Sequence, residues 1–152
     1  MMEDIAVNDK NITDETLRTF VGHHLKKTFN VIRSDLIDTL RPFDLRMLTY
    51  TALDLIVDNP GLNQSHLAQV MDIERPNLVI IIDELEAREL ITRDRVPGDR
   101  CRYALNPTEA GRVLYKRTLK AVTQHEKTLL ACLDPEKLKD LVNILKSIEH
   151  AI

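Results

Sequence analysis

The sequence lacks the features that cross-link, anchor or export a small protein. Its 152 residues include two cysteines, Cys101 and Cys132, which are too few for a disulfide framework. No apolar run approaches the roughly 20 residues that a membrane-spanning helix requires. The chain begins Met-Met-Glu-Asp, which is acidic and lacks the positively charged start of a secretory signal. We therefore expect a cytoplasmic protein.

Turn formers and aromatic residues are also scarce. There are four glycines, six prolines and no tryptophan, and aromatic residues make up 4% of a chain that is 43% hydrophobic. Sandwiches and barrels need many turns, so this composition favours long helices. A chain of this length buries about two thirds of the surface that its unfolded state exposes, which is enough to stabilise one domain.

The net charge of −3 is unevenly distributed along the chain. Residues 1–17 contain five acidic residues and one basic residue, whereas residues 91–117 contain seven basic and three acidic residues. Such a gradient is expected of a protein that touches a polyanion with one segment. A solvated charged surface fits the charge alone about as well.

One apolar stripe runs through the first third of the chain. Its members recur every three or four positions, as on one side of a helix; they are Leu17, Phe20, Val21, Leu25, Phe29, Ile32, Leu36 and Leu40. Thr13 can cap the first turn, so the pattern predicts a helix over residues 13–40, about 40 Å long. Because this is longer than a small domain is wide, we expect it to pack against a second chain. Residues 1–12 show no sustained period and are expected to be mobile.

Turn formers and helix caps divide the rest of the chain. A proline disfavours helical geometry in the residue before it, so Arg41-Pro42 should end the first helix. The next helix is expected to bury Leu45, Leu48, Ala52, Leu55 and Ile56. The predicted elements are helices over 43–57, 64–70 with Asn63 as its cap, and 75–88 with Pro76 in its first turn, a β-hairpin of strands 90–95 and 101–105, a helix from Asn106-Pro107 to about 133, and a last helix from Asp134-Pro135.

A short helix, a tight turn, a longer helix and a basic hairpin follow one another in winged helix-turn-helix order. In that arrangement the second helix, here residues 75–88, enters the DNA major groove; we call it the reading helix, and the hairpin the wing. Asn77 on the reading helix could pair with adenine, and Val79 and Ile80 could either touch thymine methyl groups or be buried. The apolar residues expected to face the core are Leu78, Ile81, Ile82 and Leu85.

These residues resemble the MarR family of bacterial transcriptional regulators. The resemblance rests on Leu62 to Ala68, Glu74 to Val79, Ile82 to Glu86, Leu90 to Arg93 and Asp99 to Gly111, and it is densest over residues 61–112. It implies a homodimer whose terminal helices interlock and whose two winged domains bind a pseudo-palindromic operator, usually to repress transcription. It also implies that a small organic effector releases the DNA. The start of the reading helix is similar to members that control aromatic-acid catabolism, so an aromatic acid or an acyl-coenzyme A is the expected effector.

The expected fold is mainly α-helical with a small β-hairpin wing. Residues 41–112 would form the winged helix-turn-helix domain, and residues 13–40 and 113–152 would form dimerisation helices in a single intertwined domain. Arginines of the wing can contact phosphates or a narrow minor groove. The expected DNA-binding residues are Asn63, Gln64, Ser65, Arg75, Pro76, Asn77, Val79, Ile80, Arg93, Arg95, Arg100 and Arg102.

Polar groups near the second helix are the candidates for effector binding. On otherwise apolar helices they are His23, Lys27, Arg46 and Tyr50. Arg46 could pair with a carboxylate in bidentate fashion, and Tyr50 could bond a phenol. The alternative is that Arg46 forms a structural ion pair and Tyr50 is half-buried.

Three positions depart from the family pattern. The wing usually has Asp, any residue and then Arg, but here Asp99 is followed two positions later by Cys101 between two arginines. Because a shift of one residue in a strand reverses the face, the arginine that enters the minor groove stays open. Glu89 replaces the usual glycine after the reading helix and would take a left-handed conformation at a cost near 1 kcal/mol. Pro107 stands where leucine is common.

The sequence offers two alternatives to DNA binding. Cys101 beside two arginines could be a redox switch, and some winged helices bind proteins, although four arginines within ten residues favour DNA. Cys132 is expected to be a small core residue. A glycine-rich phosphate loop, a nucleophile with a base and a metal-ligand spacing are all missing, so we expect no enzyme, metal or cofactor.

Overall fold

The structure, a computed structural model, describes residues 13–151 apart from the side chains of Arg100 and Cys101. Short 3-10 turns lie at Leu17–Thr19 and Arg41–Phe43. The helices are α1 (Val21–Leu40), α2 (Met47–Asp58), α3 (Gln64–Val70), α4 (Arg75–Ala87), α5 (Glu109–Leu129) and α6 (Pro135–Glu149), and the strands are β1 (Leu62–Asn63), β2 (Ile91–Val96) and β3 (Asp99–Pro107). Among the described residues, no helix is long and apolar enough to cross a membrane.

The chain divides within α1, between Arg33 and Ser34, into two compact units. In the first unit the predicted start of the long helix at Thr13 is wrong. Thr13 Oγ1 accepts from the amide of Glu15 at 3.4 Å and caps no long helix. A 3-10 turn follows instead, the backbone at Phe20 is extended, and α1 begins at Val21. The mobility predicted for residues 1–12 concerns residues outside the described part.

Local side-chain bonds explain this interruption. Thr19 Oγ1 donates to the carbonyl of Thr16 at 2.7 Å, the kind of short-range bond with which threonine competes against helical geometry. The carboxylate of Asp14 binds Arg18 Nε at 2.6 Å. The Thr19 bond favours a separate turn before α1, although the apolar stripe is continuous through it, whereas the i,i+4 pair of Asp14 and Arg18 is equally compatible with a helix.

The core of the second unit lies among α2, α3, α4 and the sheet. Leu48 was expected in this core but is 50% exposed, because the buried face of α2 consists of Thr49, Ala52, Leu53 and Ile56. Helix α2 begins at Met47, four residues later than predicted. The left-handed conformation of Asp44 ends the preceding 3-10 turn and delays α2. The largest buried side chains of this core are Leu53, Ile56, Leu67, Leu78, Ile82, Leu85, Ile91 and Leu105.

The sheet contains the predicted hairpin and one further strand. Strand β3 lies between β1 and β2, and all pairs are antiparallel, with Leu62 opposite Leu105 and Thr92 opposite Asn106. The two-residue strand β1 is too short to show a period and was not predicted. Gly98 in the hairpin turn has a φ of 86°, a conformation that favours glycine.

The predicted start of the fifth helix at Asn106-Pro107 is wrong. Asn106 Nδ2 donates to Asp94 Oδ2 at 2.7 Å across the hairpin, so both Asn106 and Pro107 belong to β3. Thr108 is the cap instead, since its hydroxyl accepts from the amide of Gly111 at 3.0 Å, and α5 ends at Leu129. The sixth helix starts as predicted: Asp134 Oδ1 accepts from the amide of Lys137 at 2.8 Å, and Pro135 is the first residue.

Candidate nucleic-acid interface

The helix-turn-helix is built from α3, a tight turn and α4. Asn63 caps α3 as predicted, because its side-chain oxygen accepts from the amide of His66 at 2.8 Å. Asp72 in the turn has a φ of 51°, and the amide of Ile73 bonds the carbonyl of Ala68 at 3.1 Å, which closes α3 and turns the chain. Pro76 then lies in the first turn of α4, where its missing N–H costs nothing.

The reading helix α4 has the predicted buried and exposed faces. Its buried residues are Leu78, Ile81, Ile82 and Leu85. On the other side Val79 is 40% and Ile80 62% exposed, which decides between the two alternatives for these residues in favour of the surface. Arg75, Pro76 and Asn77 are exposed as well. A helix with an apolar back and a mixed polar and aliphatic front suits the major groove, where thymine methyls and base donors and acceptors lie side by side.

A groove of about 290 Å³ joins α3, α4 and the wing. It brings together the predicted residues Asn63, Gln64, Ser65, Arg75, Val79 and Arg102, and also His66, Leu78 and Tyr103. His66 and Tyr103 are surface residues of this site that the sequence analysis missed. The signal for His66 was its place directly after Ser65 in α3. Tyr103 follows Arg102 on a strand, where neighbouring residues alternate in face, so the sequence carried no signal for it.

The wing arginines do not share one environment. Arg93 Nε donates to Glu86 Oε2 at 2.8 Å and its Nη2 contacts Asp83, so this side chain faces α4. Burial lowers the pKa of Arg93, but its hydrogen bonds with Asp83 and Glu86 raise it above the ordinary value. Arg95 is exposed, and Arg102 is exposed with Nε 3.3 Å from Asp99. The predictions for the side chains of Arg100 and Cys101, including the redox switch, lie outside the described residues.

Comparisons with known proteins agree with this geometry. The sequence profile described as MarR family matches residues 43–100. A putative transcriptional regulatory protein for the hcr operon of Thauera aromatica is 37% identical over 99 residues, which cover 65% of this chain and 60% of that protein. The structure of the transcriptional repressor CouR bound to a 23-mer DNA duplex superposes with a TM-score of 0.86 at 32% identity, covering 91% of this chain and 99% of CouR. The chain belongs to the MarR family. It is thus a transcriptional regulator by family, with the predicted winged-helix fold.

A second structure of CouR, bound to p-coumaroyl-CoA, superposes on the MarR-family chain with a TM-score of 0.82 at 30% identity, covering 93% of this chain and 99% of that one. A MarR-family regulator from Rhodococcus sp. RHA1 does so with a TM-score of 0.81 at 25% identity, covering 90% and 96% of the two chains. The match to the curated relative spans 60% of that protein's length.

One departure from the MarR pattern has the predicted consequence. Glu89 follows the reading helix with a φ of 56°, the left-handed conformation that glycine adopts freely. Its carbonyl accepts from Thr108 Oγ1 at 2.7 Å, and the carbonyl of Leu90 accepts from the amide of Thr108 at 3.0 Å. The left-handed residue therefore sits where α4, the sheet and the start of α5 are bonded together.

Two of the candidate effector residues lie in the first compact unit and surround one carboxylate. Asp14 Oδ2 is 3.8 Å from both His23 Nε2 and Lys27 Nζ, while Arg18 binds its other oxygen. The hydrogen bond from Arg18 lowers the pKa of Asp14, although partial desolvation opposes the shift. His23 and Lys27 thus already face a carboxylate of their own chain.

The other two candidate effector residues lie in the second unit, Arg46 at the cap position before α2 and Tyr50 on α2. Arg46 at the start of α2 forms an ion pair with Glu84 of α4 through Nη2, which is the structural alternative stated for it. Tyr50 is half-buried, and burial together with the charges of Asp54 and Asp58 raises its pKa. Arg46 would therefore have to exchange one carboxylate for another in order to bind an acidic effector.

Cys132 is the cysteine whose side chain the structure describes. Cys132 is exposed, so its predicted place in the core is wrong; it lies after α5 ends, where the chain turns toward α6. Within residues 13–151 no group of three His, Cys, Asp or Glu side chains could hold a metal ion.

Proposed function

We propose that this MarR-family protein is a homodimeric cytoplasmic repressor without catalytic activity. It binds operator DNA through α3, α4 and the wing and is released by a small aromatic acid or its coenzyme A thioester. The observation that carries the DNA-binding proposal is the groove in which Arg75 of α4, Arg102 of β3 and the first residues of α3 meet.

The proposed docking follows from the exposed face of α4. The helix enters the major groove with Asn77 toward an adenine edge and with Val79 and Ile80 toward thymine methyls. Arg75, Arg95 and Arg102, which are exposed, neutralise phosphates on either side. The 32% identity to CouR, a repressor with a structure bound to a DNA duplex, supports this docking.

The proposed dimer follows from apolar residues that the single chain leaves exposed. Helix α6 is an amphipathic helix without a buried residue, and its exposed apolar side chains are Leu141, Val142, Ile144 and Ile148. Helix α1 likewise exposes Val21, Leu25 and Phe29. Extensive exposed apolar faces are unfavourable in a monomer. A second copy that covers them would also place two reading helices on one duplex, with half-sites about one helical turn apart.

The proposed effector response rests on the similarity to CouR, one structure of which holds p-coumaroyl-CoA. The candidate cations for the acid or a phosphate of such a ligand are His23 and Lys27 in the first unit and, separately, Arg46 in the second unit. Tyr50, also in the second unit, is the candidate partner of a phenol. An effector shifts the equilibrium only through different affinities for two conformations, so it must bind the DNA-free geometry more tightly.

The test of DNA binding is fluorescence anisotropy with duplex DNA over a range of salt. We expect the logarithm of the affinity to fall linearly with the logarithm of salt concentration, because released counterions drive the binding. Asn77→Ala should relax sequence choice at one position in each half-site by about 1 to 3 kcal/mol, as read from a pool of operator variants. An affinity for DNA that is absent or independent of salt would favour a protein-binding winged helix instead.

The dimer and the effector have separate measurements. Light scattering should give about twice the 17.5 kDa of one chain. A thermal-shift screen of aromatic acids and their coenzyme A thioesters should find a ligand that raises the melting temperature and also weakens DNA binding. A mass of one chain, or ligands that stabilise without weakening DNA binding, would count against the corresponding part of the proposal.

A further inference from the structure

The hydrogen bonds with Asn63, which caps α3, favour one tautomer of the neutral His66 imidazole. The amide of His66 donates to Asn63 Oδ1 at 2.8 Å, which decides which end of the Asn63 side chain is oxygen. The Nδ2 group of Asn63 then lies 3.1 Å from His66 Nδ1. An amide nitrogen can only donate, so Nδ1 must accept and carries no proton.

It follows that the ring proton is on Nε2. A neutral imidazole with an accepting Nδ1 has an Nε2–H that donates on the other side of the ring. His66 is exposed, and within the described part of the chain Nε2 has no protein acceptor. Asn63 therefore orients the Nε2–H group of His66 so that this donor lies on the side of the ring away from Asn63.

The groove around this donor has the character of an anion site. The lining side chains include two cations, Arg75 and Arg102, and the polar groups of Gln64 and Ser65, and none of the described lining residues is Asp or Glu. We propose that His66, as a neutral donor through Nε2–H, binds a phosphate of the DNA backbone. This inference rests on the proposed DNA-binding function and adds a contact that depends on a tautomer rather than on charge.

The position of His66 favours a phosphate over a base. It belongs to α3, the first helix of the motif, which in helix-turn-helix proteins crosses the DNA backbone while the second helix enters the groove. A contact with phosphate fixes the register of the protein but carries no sequence information. The contact should therefore contribute to all duplexes alike and release no counterion.

The first experiment measures the tautomer directly. Two-bond ¹H–¹⁵N correlation spectra of the full-length protein at about pH 8, above the range in which histidine usually takes up its second proton, distinguish protonated from unprotonated ring nitrogens. We expect His66 to show a protonated Nε2 and an unprotonated Nδ1. A proton on Nδ1 would overturn the proposal.

The second experiment uses a labelled duplex of random sequence at the same pH. His66→Phe keeps a ring but loses the donor, and we expect about tenfold weaker binding at an unchanged salt slope. His66→Gln can present an amide N–H near the position of Nε2 and should keep most of the affinity. Both variants keep the backbone amide that Asn63 caps and lose only an exposed side-chain bond with Asn63, so their melting temperatures should stay close to that of the wild type. The exposed His150→Phe serves as the control.

The outcomes separate this inference from the proposed function. If the wild-type protein does not bind the duplex, the proposed function fails. If it binds and His66→Phe binds equally well, only the role of His66 is wrong. For His66→Phe, a lower salt slope would mean that the wild-type contact is charged, and a loss of affinity confined to one base position would mean base recognition. A lower melting temperature would mean that His66 is a structural residue. Each of these results contradicts a neutral phosphate contact.

Discussion

Arg93 on β2 and Glu86 on α4 are joined by a hydrogen bond of 2.8 Å from Nε to Oε2. The same guanidinium contacts Asp83 one turn earlier on α4, and the Arg93 side chain is 23% exposed. The bond links the wing to the helix that it must accompany onto DNA. Arg93 therefore acts on the orientation of the wing, whereas the exposed Arg95 two residues later is available to phosphate.

This difference predicts that two substitutions change different quantities: one the salt dependence of DNA binding, the other the free energy of unfolding. Arg95→Ala should lower the salt slope of binding to random duplex DNA by about one unit per lost phosphate contact. Arg93→Ala should leave the slope unchanged but lower the free energy of unfolding by about 1 to 2 kcal/mol, because two neighbouring carboxylates lose their partner. Anisotropy titrations at several salt concentrations and urea unfolding measure both. A reduced slope for Arg93→Ala would place this arginine on the DNA.

The start of α5 lies so close to the backbone of Leu90 that only glycine fits at residue 111. A Cβ on Gly111 would lie 2.0 Å from the carbonyl oxygen of Leu90, so the backbone itself would have to move. We expect Gly111→Ala to lower the free energy of unfolding by about 3 kcal/mol.

Gly22 on α1 provides the matched control for that substitution. A Cβ at Gly22 would meet nothing within 4 Å, so Gly22→Ala should be neutral or stabilising, by up to about 1 kcal/mol, through helix propensity. Thermal unfolding of the two variants beside the wild type measures the contrast. Equal melting temperatures would show that the contact between Gly111 and Leu90 relaxes without cost.

Glu89 stores a small strain that a substitution can release. With a φ of 56° it holds a left-handed conformation that costs a residue with a Cβ roughly 1 kcal/mol. Glu89→Gly should therefore raise the free energy of unfolding by a few tenths to about 1 kcal/mol. Glu89→Ala keeps the Cβ and should give no such gain. If alanine stabilised as much as glycine, the effect would come from the lost charge.

Sequence reasoning located the reading helix well because its determinants are local. Asn63 and Pro76 mark the starts of α3 and α4, and the apolar period of α4 alone predicts which residues are buried. The predicted start of α1 was wrong because the apolar stripe continues through Leu17 and Phe20, while a 3-10 turn and the extended backbone of Phe20 interrupt the helix.

The environment of individual site residues was harder to predict because it depends on partners distant in the chain. The period of β2 cannot reveal that Arg93 meets Asp83 and Glu86, which lie ten and seven residues away on another element. Asn106 was taken for a helix cap since it precedes a proline, but its amide binds Asp94 across the hairpin, twelve residues away. Capping residues identify helix starts only when no such partner competes for them.

Tyr115 of α5 is hydrogen-bonded to Asp54 of α2, and we expect this tyrosine to make the stability of the fold depend on alkaline pH. Burial raises the pKa of Tyr115, and its hydrogen bond with Asp54 of α2 and the charge of Asp58 raise it further. Burial raises the pKa of Tyr50 in the same direction. The folded chain therefore holds these two protons more tightly than the unfolded chain does.

The two tyrosines should contribute their full share to the free energy of unfolding below pH 10, the ordinary tyrosine pKa. That contribution should fall as the pH rises above 10, because the unfolded chain then releases protons that the folded chain retains. Tyr115→Phe should flatten this alkaline fall, and Tyr115→Phe with Tyr50→Phe should flatten it further. Urea unfolding measured from pH 8 upward gives the slope for each variant, with ionic strength held constant. A wild-type free energy of unfolding that stays level above pH 10, or falls equally steeply in the double variant, would show that other groups control the alkaline limit.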